Sequence, residues 1–153
     1  VGVSPDVGAA KMARGYAKRL GAAFAIIDKR RPKANTSEVM NVVGEVEGKA
    51  CLLVDDMVDT GGSLSNAIRA LKDHGARVVY AAATHAVLSG EAGERLQEAP
   101  VEEVIVTNTI HVPEEERFEK LKVLSVADLL AKAIVHVHSN ESVSQLFETP
   151  PDD

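Results

Sequence analysis

The sequence predicts an α/β fold, with a doubly wound and mainly parallel sheet flanked by helices. Short apolar runs alternate with longer stretches of helical periodicity, a pattern typical of such sheets. The apolar runs are nearly continuous rather than alternating with polar residues, as in strands covered on both faces. With 3 Phe, 2 Tyr and no Trp, the core must consist mainly of alanine and branched aliphatic residues. Helices packed on a parallel sheet suit such a core better than an aromatic-rich sandwich.

Before the centre of the predicted sheet, local patterns indicate four elements. Residues 9–20 place alanine, methionine, tyrosine and leucine side chains largely on one helical face, and Gly21 ends this helix. Residues 29–37 are basic and contain proline, so we expect an exposed, mobile loop there. The expected elements are a strand at 1–4, the helix at 9–20, a strand at 23–27 and a hairpin at 39–49 that turns near Gly44.

The most strand-like stretch is residues 50–54, which are uniformly apolar and end at Asp55 and Asp56, as expected of a central parallel strand. A helix at 63–74, closed by Gly75, follows it. The alternation continues with a strand at 78–84, a helix at 91–98, strands at 103–107 and 123–125 and a helix at 127–138. We therefore expect one domain over residues 1–139, followed by a largely polar tail over residues 140–153.

Composition excludes several classes of partner. The net charge of −6 results from 17 basic and 23 acidic residues, and the basic residues are scattered except at 29–31, so no positive stripe is available for nucleic acid. No uninterrupted apolar stretch approaches the roughly 20 residues of a membrane span. Cys51 is the only cysteine and lies in an apolar run, which predicts a buried structural thiol and no disulfide within the chain. We expect a soluble, cytoplasmic protein with neither nucleic-acid nor membrane partners.

Residues 52–63 place polar groups at the carboxyl end of a buried strand. Asp55 and Asp56 follow the apolar run directly, at the edge where open α/β sheets bind ligands. Residues 59–63, Asp-Thr-Gly-Gly-Ser, then supply backbone amides, two hydroxyls and a helix N-terminus, a combination that binds phosphate dianions. Because the acids can accept hydrogen bonds from vicinal hydroxyls while the loop holds a phosphate, the pattern predicts a sugar-phosphate site.

A structural reading of the same residues competes with this one. Asp59 and Ser63 could cap a helix whose turn the two glycines form, but the preceding strand and the paired acids favour a binding site. By themselves, Asp6 has the position of a helix-capping residue and the cluster at 29–31 is typical of a solvated surface. His85 follows another apolar run, and we expect a hydrogen-bonded core histidine rather than a site residue.

The segment at 52–63 resembles the phosphate loop of the phosphoribosyltransferase superfamily, which has a hydrophobic run, two acids and Asp-Thr-Gly-Gly-Thr, with Ser63 here in the last position. Other segments are similar to the ribose-phosphate pyrophosphokinases in particular. They are Val-Ser-Pro-Asp-Val-Gly at 3–8, Ile-Ile-Asp-Lys-Arg-Arg-Pro at 26–32, Thr-His-Ala-Val-Leu-Ser-Gly at 84–90, Val-Thr-Asn-Thr-Ile at 106–110 and Ser-Val-Ser-Gln-Leu-Phe at 142–147. The resemblance implies a type I phosphoribosyltransferase-like fold and the C-terminal half of such an enzyme, with the N-terminal half absent.

The resemblance also implies roles for individual residues. Asp55 and Asp56 would face the ribose hydroxyls, and Asp6 matches the pyrophosphate loop, whose aspartate helps to place Mg²⁺. Lys29 and Arg31 match the flexible catalytic loop, whose cations stabilise charge on the transferred phosphoryl oxygens, and Arg31 would also contact ribose 5-phosphate. The 5-phosphate would be held by Asp59, Thr60, Gly61, Gly62 and Ser63.

The tail at 142–144 resembles the region where family members bind regulatory phosphate or ADP across subunits. The family often has Arg where this chain has His136, which makes an anion site there weaker or pH-dependent. In the pyrophosphate loop, Gly8 is followed by Ala9, whereas most relatives carry two glycines. A hexamer of full-length subunits is the assembly that the resemblance implies.

The implied reaction transfers diphosphate from ATP to the 1-hydroxyl of ribose 5-phosphate, giving phosphoribosyl pyrophosphate and AMP. Alignment and charge stabilisation carry such a reaction, and the isolated chain is expected to be inactive or weakly active. Two alternatives share the loop at 52–63: an enzyme that transfers a base onto phosphoribosyl pyrophosphate, and a non-catalytic associated regulatory subunit. The segments outside the loop favour the pyrophosphokinase over the first, and the intact acids favour it over the second.

Overall fold

The computed structural model describes residues 1–30 and 39–147, and within them the chain forms a seven-stranded sheet. The strands are β1 (Gly2–Ser4), β2 (Phe24–Arg30), β3 (Val39–Val43), β4 (Ala50–Val58), β5 (Val78–Ala86), β6 (Glu103–Thr107) and β7 (Leu121–Leu124). The helices are α1 (Ala10–Arg19), α2 (Gly62–Asp73), α3 (Ala92–Glu98) and α4 (Ala127–His138), with short 3-10 helices at Glu114–Glu116 and Val143–Phe147. The strand order is β3-β2-β1-β4-β5-β6-β7, and only the β2–β3 pairing is antiparallel among these strands. The predicted α/β class is confirmed.

Helices pack on both faces of the central strands. α1 approaches β1 so closely that a Cβ atom at Gly2 would lie 2.8 Å from the Cβ atom of Ala17. Neighbouring residues of a strand point to opposite faces, so the in-register pair Leu53 and Ala81 faces the other layer, where α2 and α3 complete the main core. That core consists largely of aliphatic side chains, as predicted, and burial raises the pKa of the Cys51 thiol within it.

The strand order places a crevice between β1 and β4. The chain proceeds from β1 through β2 to β3 in one direction and from β4 through β5 and β6 to β7 in the other. Where the order reverses in this way, the connections after the two adjacent strands diverge and leave a ligand-binding crevice at the carboxyl edge. The residues that follow β1 and those at the end of β4 therefore meet at one place.

The central strand is longer than the sequence indicates. We predict its end at residue 54, but β4 continues to Val58 because β5 also continues, and Asp55 pairs with Ala83 and Met57 with His85. The acids are exposed or half-buried while their backbone stays in the parallel ladder. The change from apolar to polar side chains marks the limit of the helical layers here, and the strand itself extends beyond it.

The predicted hairpin at 39–49 is wrong. β3 pairs antiparallel with β2, with Ile26 opposite Val43, and residues 44–49 form no strand. At Gly44, φ is 125°, and a Cβ atom there would lie 2.7 Å from the Cβ atom of Ala25. The chain can therefore turn tightly against β2 at this glycine and pass to β4, with Val46 buried on the way.

The basic loop expected at 29–37 is partly strand. Lys29 and Arg30 belong to β2 and pair with Met40 and Val39 of β3. The sequence predicts that residues 39–43 pair within a hairpin at 39–49. In the structure these residues pair with β2 instead, and this pairing extends β2 through Lys29 and Arg30. Arg31, and the rest of the expected loop to residue 37, lie outside the described residues.

The predicted helix at 127–138 is confirmed as α4, although none of its residues is buried. Leu130, Ile134 and Val137 are 57%, 69% and 67% exposed, and the main contact of α4 is with the 3-10 helix Val143–Phe147. Within residues 1–30 and 39–147, no helix has the length and apolar character needed to cross a membrane.

Candidate functional site

A cavity of about 350 Å³ lies at the carboxyl edge of the sheet, at the crevice between β1 and β4. Each of the predicted site residues within the described part of the chain contributes to its lining, which comprises Asp6, Lys29, Asp55, Asp56, Met57, Val58, Asp59, Thr60, Gly61, Gly62, Ser63 and Leu64. The lining comes from the turn after β1, from β2, and from β4 with the loop and the start of α2 that follow it; these three strands are separated in sequence and adjacent in the sheet. Arg31, also predicted for this site, lies outside the described residues.

Two carboxylates stand on β4 at one side of this cavity. Asp55 and Asp56 are adjacent in the strand and both line the cavity, with Asp55 half-buried and Asp56 exposed. The backbone N–H of Asp56 donates a 2.9 Å hydrogen bond to Oδ1 of Asp55. Burial raises the pKa of Asp55, and the charges of Asp56 and Asp6 add to the rise against the lowering effect of that hydrogen bond. The arrangement favours ligands that donate hydrogen bonds or carry positive charge.

The other side of the cavity is the start of α2. Gly61 precedes the helix with φ of 71°, in the left-handed region that suits glycine. The first helical hydrogen bond runs from the N–H of Ser65 to the carbonyl of Gly61, at 2.9 Å. The N–H groups of Gly62, Ser63 and Leu64 have no carbonyl one turn earlier in the helix, and no side chain of the described residues caps it. Donors of this kind, together with the helix dipole, attract anions.

Asp6 and Lys29 complete the cavity from β1 and β2. Oδ1 of Asp6 accepts a 2.9 Å hydrogen bond from the N–H of Ala9, and the buried Ser4 hydroxyl donates to the Asp6 carbonyl at 2.6 Å. Asp6 therefore organises the turn into α1 and also lines the cavity. Lys29 is half-buried within β2, so its backbone position is fixed by the sheet.

The loop at 59–63, which lines the cavity, and the end of β4 accept hydrogen bonds from the region between β5 and α3 and from α3 itself. The N–H groups of Val87 and Leu88 donate to the carbonyl of Val58 at 2.9 and 3.0 Å, and the N–H of Ser89 donates to the carbonyl of Asp59 at 3.1 Å. Nη1 of Arg95, on α3, donates to the carbonyl of Thr60. Sequence reasoning does not find these contacts, because backbone hydrogen bonds between distant segments leave no signal in residue type.

His85 differs from expectation. Its side chain is exposed rather than in the core, and Nδ1 lies 2.9 Å from the hydroxyl of Thr109. The prediction of a hydrogen-bonded partner is confirmed, and the prediction of burial is wrong because β5 extends beyond the helical layer together with β4. His85 does not line the cavity that contains the acids.

A second cavity, of about 490 Å³, lies between α3 and the 3-10 helix Glu114–Glu116. Its lining includes Glu91, Glu94, Glu115 and Glu116, and Arg117 is the one cation that the described part of the chain contributes to it. This charge balance is unfavourable for a phosphate. The cavity at β1 and β4 is therefore the better candidate for an anionic ligand.

Comparison with known proteins gives a consistent result. Residues 27–148 match the family model described as phosphoribosyl synthetase-associated domain. A ribose-phosphate pyrophosphokinase of Caldanaerobacter subterraneus is 57% identical over 145 residues, which are 95% of this chain and 46% of that protein. One from Bacillus subtilis is 53% identical over the same shares. The chain thus spans about half the length of these relatives.

Solved structures agree with the sequence comparison. The crystal structure of phosphoribosylpyrophosphate synthetase from Mycobacterium smegmatis superposes with a TM-score of 0.82 at 47% identity, covering 90% of this chain and 44% of that one. Orotate phosphoribosyltransferase from Aeropyrum pernix has a TM-score of 0.55 at 22% identity, covering 86% of this chain and 64% of that one. The second likeness shows a shared fold only.

Proposed function

The chain belongs to the ribose-phosphate pyrophosphokinase family, and we propose that it provides the ribose 5-phosphate half-site of such an enzyme. In the proposed reaction, the 1-hydroxyl oxygen of the sugar attacks the β-phosphorus of ATP. The bond from that phosphorus to the oxygen shared with the α-phosphorus breaks, AMP leaves, and the hydroxyl proton is lost to solvent. The product is phosphoribosyl pyrophosphate.

One observation carries this proposal: a single cavity at the strand-order reversal has carboxylates on one side and, on the other, helix N–H donors that no side chain of the described residues caps. A sugar phosphate has complementary groups at its two ends. Its vicinal hydroxyls donate hydrogen bonds to Asp55 and Asp56, and its phosphate accepts them from the loop of Asp59 to Ser63. An inorganic anion would leave the two carboxylates without a partner.

Asp6 is the residue that we propose for a magnesium ion. Its carboxylate lines the cavity and would supply a hard oxygen ligand of the kind that Mg²⁺ uses alongside substrate phosphates. Within the described residues, no group of three or more His, Cys, Asp or Glu side chains could hold such an ion by itself, so most of its ligands would be substrate oxygens and water. When bound, Mg²⁺ would neutralise charge on the diphosphate.

Lys29 is the proposed catalytic cation within the described chain. It lines the same cavity from β2, and positive charge there stabilises the negative charge that spreads over the phosphoryl oxygens during transfer. Arg31, two residues further, is proposed for the same purpose and for contact with the sugar phosphate. ATP binding, regulation by phosphate or ADP near residues 142–144, and a hexameric full-length enzyme are further parts of the proposal.

The two alternatives have less support. Base phosphoribosyltransferases share the fold, but the chain is far more similar in sequence to ribose-phosphate pyrophosphokinases than to the orotate enzyme. A non-catalytic associated subunit has no need of the paired acids, and here Asp55 and Asp56 are present beside an open helix N-terminus. Both observations favour a working substrate site.

Binding of ribose 5-phosphate by this chain tests the proposal, with Gly62→Asp as the perturbation. A Cβ atom at Gly62 would meet only the hydroxyl of Thr60, at 3.8 Å, so the fold accepts a side chain there. The aspartate adds a negative charge to the loop that is proposed to bind the phosphate. Gly15→Asp is the matched control, because Gly15 lies in α1, remote from the cavity, with no atom within 4 Å of its Cβ position.

By calorimetric titration in the presence of Mg²⁺, we expect saturable binding by the unmodified chain and by Gly15→Asp. Gly62→Asp should bind at least about tenfold more weakly, because a loss of only 1.4 kcal/mol has that effect. Equal affinity of all three proteins, or no binding by the unmodified chain, would overturn the proposed half-site.

A further inference from the structure

Three consecutive carbonyl groups, at the end of β4 and in the two residues after it, each accept a hydrogen bond from the β5–α3 region. The carbonyl of Val58 accepts from two backbone N–H groups, that of Asp59 from the N–H of Ser89, and that of Thr60 from the Arg95 side chain. In a trans peptide group the C=O and the following N–H point in opposite directions, and the described chain contains no cis bond. Holding these carbonyls on one side directs the N–H groups of residues 59–61 to the other.

The donor segment at 87–89 has a strained backbone at one residue. Leu88 has φ of 50°, which is uncommon for a residue with a branched side chain and costs on the order of 1 kcal/mol. A left-handed residue makes successive N–H groups converge, and here the N–H groups of Val87 and Leu88 both reach the carbonyl of Val58. Strain of this kind persists where surrounding contacts require it, and these contacts lie against the loop of the cavity.

Among the described hydrogen bonds to these three carbonyls, only the one from Arg95 comes from a side chain. It lies on α3, next to Leu96, which is fully buried and would be 3.3 Å from a Cβ atom at Gly61. Its ion pair with Glu91, at 3.8 Å, is on the exposed surface. Arg95 does not line the cavity of the acids and faces a separate cleft with Ser65, Asn66, Arg69, Glu91, Glu94 and Glu98.

We propose that Arg95 is a positioning residue for the phosphate loop, which acts on the ligand through the Thr60 carbonyl without touching it. Its guanidinium fixes the peptide group between Thr60 and Gly61 with the N–H toward the cavity. A charged donor on the carbonyl also polarises that peptide group, so the Gly61 N–H becomes a stronger donor to an anion. The inference rests on the proposed binding of ribose 5-phosphate and adds a residue outside the cavity to that site.

The test compares Arg95→Met, which keeps the length of the side chain and removes its donors, with Arg95→Lys, which restores a charged donor. Arg69→Met is the matched control, because Arg69 is an exposed arginine of α2 in the same neighbouring cleft. Ribose 5-phosphate affinity is measured at low and at high salt. A long-range effect of charge on the phosphate is screened by salt, whereas an effect of peptide orientation is not.

We expect Arg95→Met to weaken ribose 5-phosphate binding roughly tenfold at both salt concentrations, since one charge-assisted hydrogen bond is worth about that factor. Arg95→Lys should recover part of the affinity, and Arg69→Met should bind as the unmodified chain does. Unchanged affinity in a folded Arg95→Met variant, or a loss that high salt abolishes, would overturn the inference. If Arg95→Met does not fold, Arg95→Lys is measured alone: a partial loss of affinity at both salt concentrations supports the inference, and an affinity equal to that of the unmodified chain, or a loss that high salt abolishes, overturns it.

A second measurement separates this inference from the proposed function. The amide ¹⁵N chemical shift of Gly61 reports hydrogen bonding at the Thr60 carbonyl, because both atoms belong to one peptide group. Without any ligand, this resonance should move in Arg95→Met and remain in place in Arg69→Met. If the resonance moves but the unmodified chain does not bind ribose 5-phosphate, the hydrogen bond from Arg95 to Thr60 stands and the proposed ligand is refuted. If the resonance does not move, the hydrogen bond itself is refuted.

Discussion

The two adjacent glycines of the loop should respond differently to the same substitution. Gly61 has φ of 71°, so alanine there costs about 1–2 kcal/mol of backbone strain. Its Cβ atom would also lie 3.3 Å from Cγ of Leu96 and 3.5 Å from the carbonyl oxygen of Ala92. Restriction of the unfolded chain by alanine offsets roughly 0.4–1 kcal/mol of this cost. We therefore expect Gly61→Ala to lower the free energy of unfolding by about 1 kcal/mol.

Gly62 is the control within the same loop. It is the first residue of α2, its φ is not positive, and a Cβ atom would find only the Thr60 hydroxyl, at 3.8 Å. Because alanine favours a helix over glycine, Gly62→Ala should be as stable as the unmodified chain or slightly more stable. The difference between the two variants therefore reports the backbone strain and the crowding at Gly61 together, apart from the general effect of placing an alanine in this loop.

Thermal unfolding followed by circular dichroism measures the difference. For a domain of this size, about 1 kcal/mol corresponds to roughly 2–4 °C in the midpoint, so Gly61→Ala should unfold at least about 2 °C below Gly62→Ala. Ribose 5-phosphate binding should weaken in Gly61→Ala if the loop leaves its left-handed conformation. Equal midpoints for the two variants would refute the conformational argument for Gly61, and with it the geometry of the loop.

Two further predictions concern charge in the cavity. Because the pKa of Asp55 is raised in the folded chain, the native state holds its proton more tightly than the unfolded state, and stability should fall as pH rises from the usual aspartate pKa through the raised one. Asp55→Asn should remove this part of the pH dependence and raise the thermal midpoint at neutral pH while abolishing ribose 5-phosphate binding; an unchanged pH profile of unfolding would contradict the assignment. In a complete enzyme, Lys29→Ala should slow AMP release by at least about 100-fold while ribose 5-phosphate affinity changes less than tenfold, and an equal loss in both would make Lys29 a binding residue only.

Much of the fold could be predicted because its signals are local. The apolar run at 50–54, the helix that Gly75 ends and the strand at 103–107 each have a period and a boundary that the sequence displays. The partner of residues 39–43 could not be predicted, because the pairing of β3 with β2 joins strands whose match no local pattern displays. The same limit applies to the length of β4, which the neighbouring β5 determines.

The candidate site was predictable in part for a related reason. Residues 55–63 form one continuous segment that combines strand, acids and glycine loop, and topology then brings Asp6 and Lys29 to it. The contacts of Arg95 and of Ser89 with the loop's carbonyls depend on how the β5–α3 connection folds back. Such contacts involve backbone acceptors, and any residue type at positions 58–60 would present the same carbonyl groups.

The extension of β4 and β5 beyond the helical layers has a consequence for chimeric proteins. The segment at 55–63 takes its shape from two separate parts of the neighbouring strand region: the ladder at Ala83 and His85 shapes its first half, and residues 87–95 shape its second. A loop transplanted alone from a relative would arrive without the surface that determines its peptide orientations. The transferable unit is the pair of segments 50–63 and 78–98, exchanged together, and recombination points are better placed at residue 49 and after Glu98, the end of α3, than within the loop.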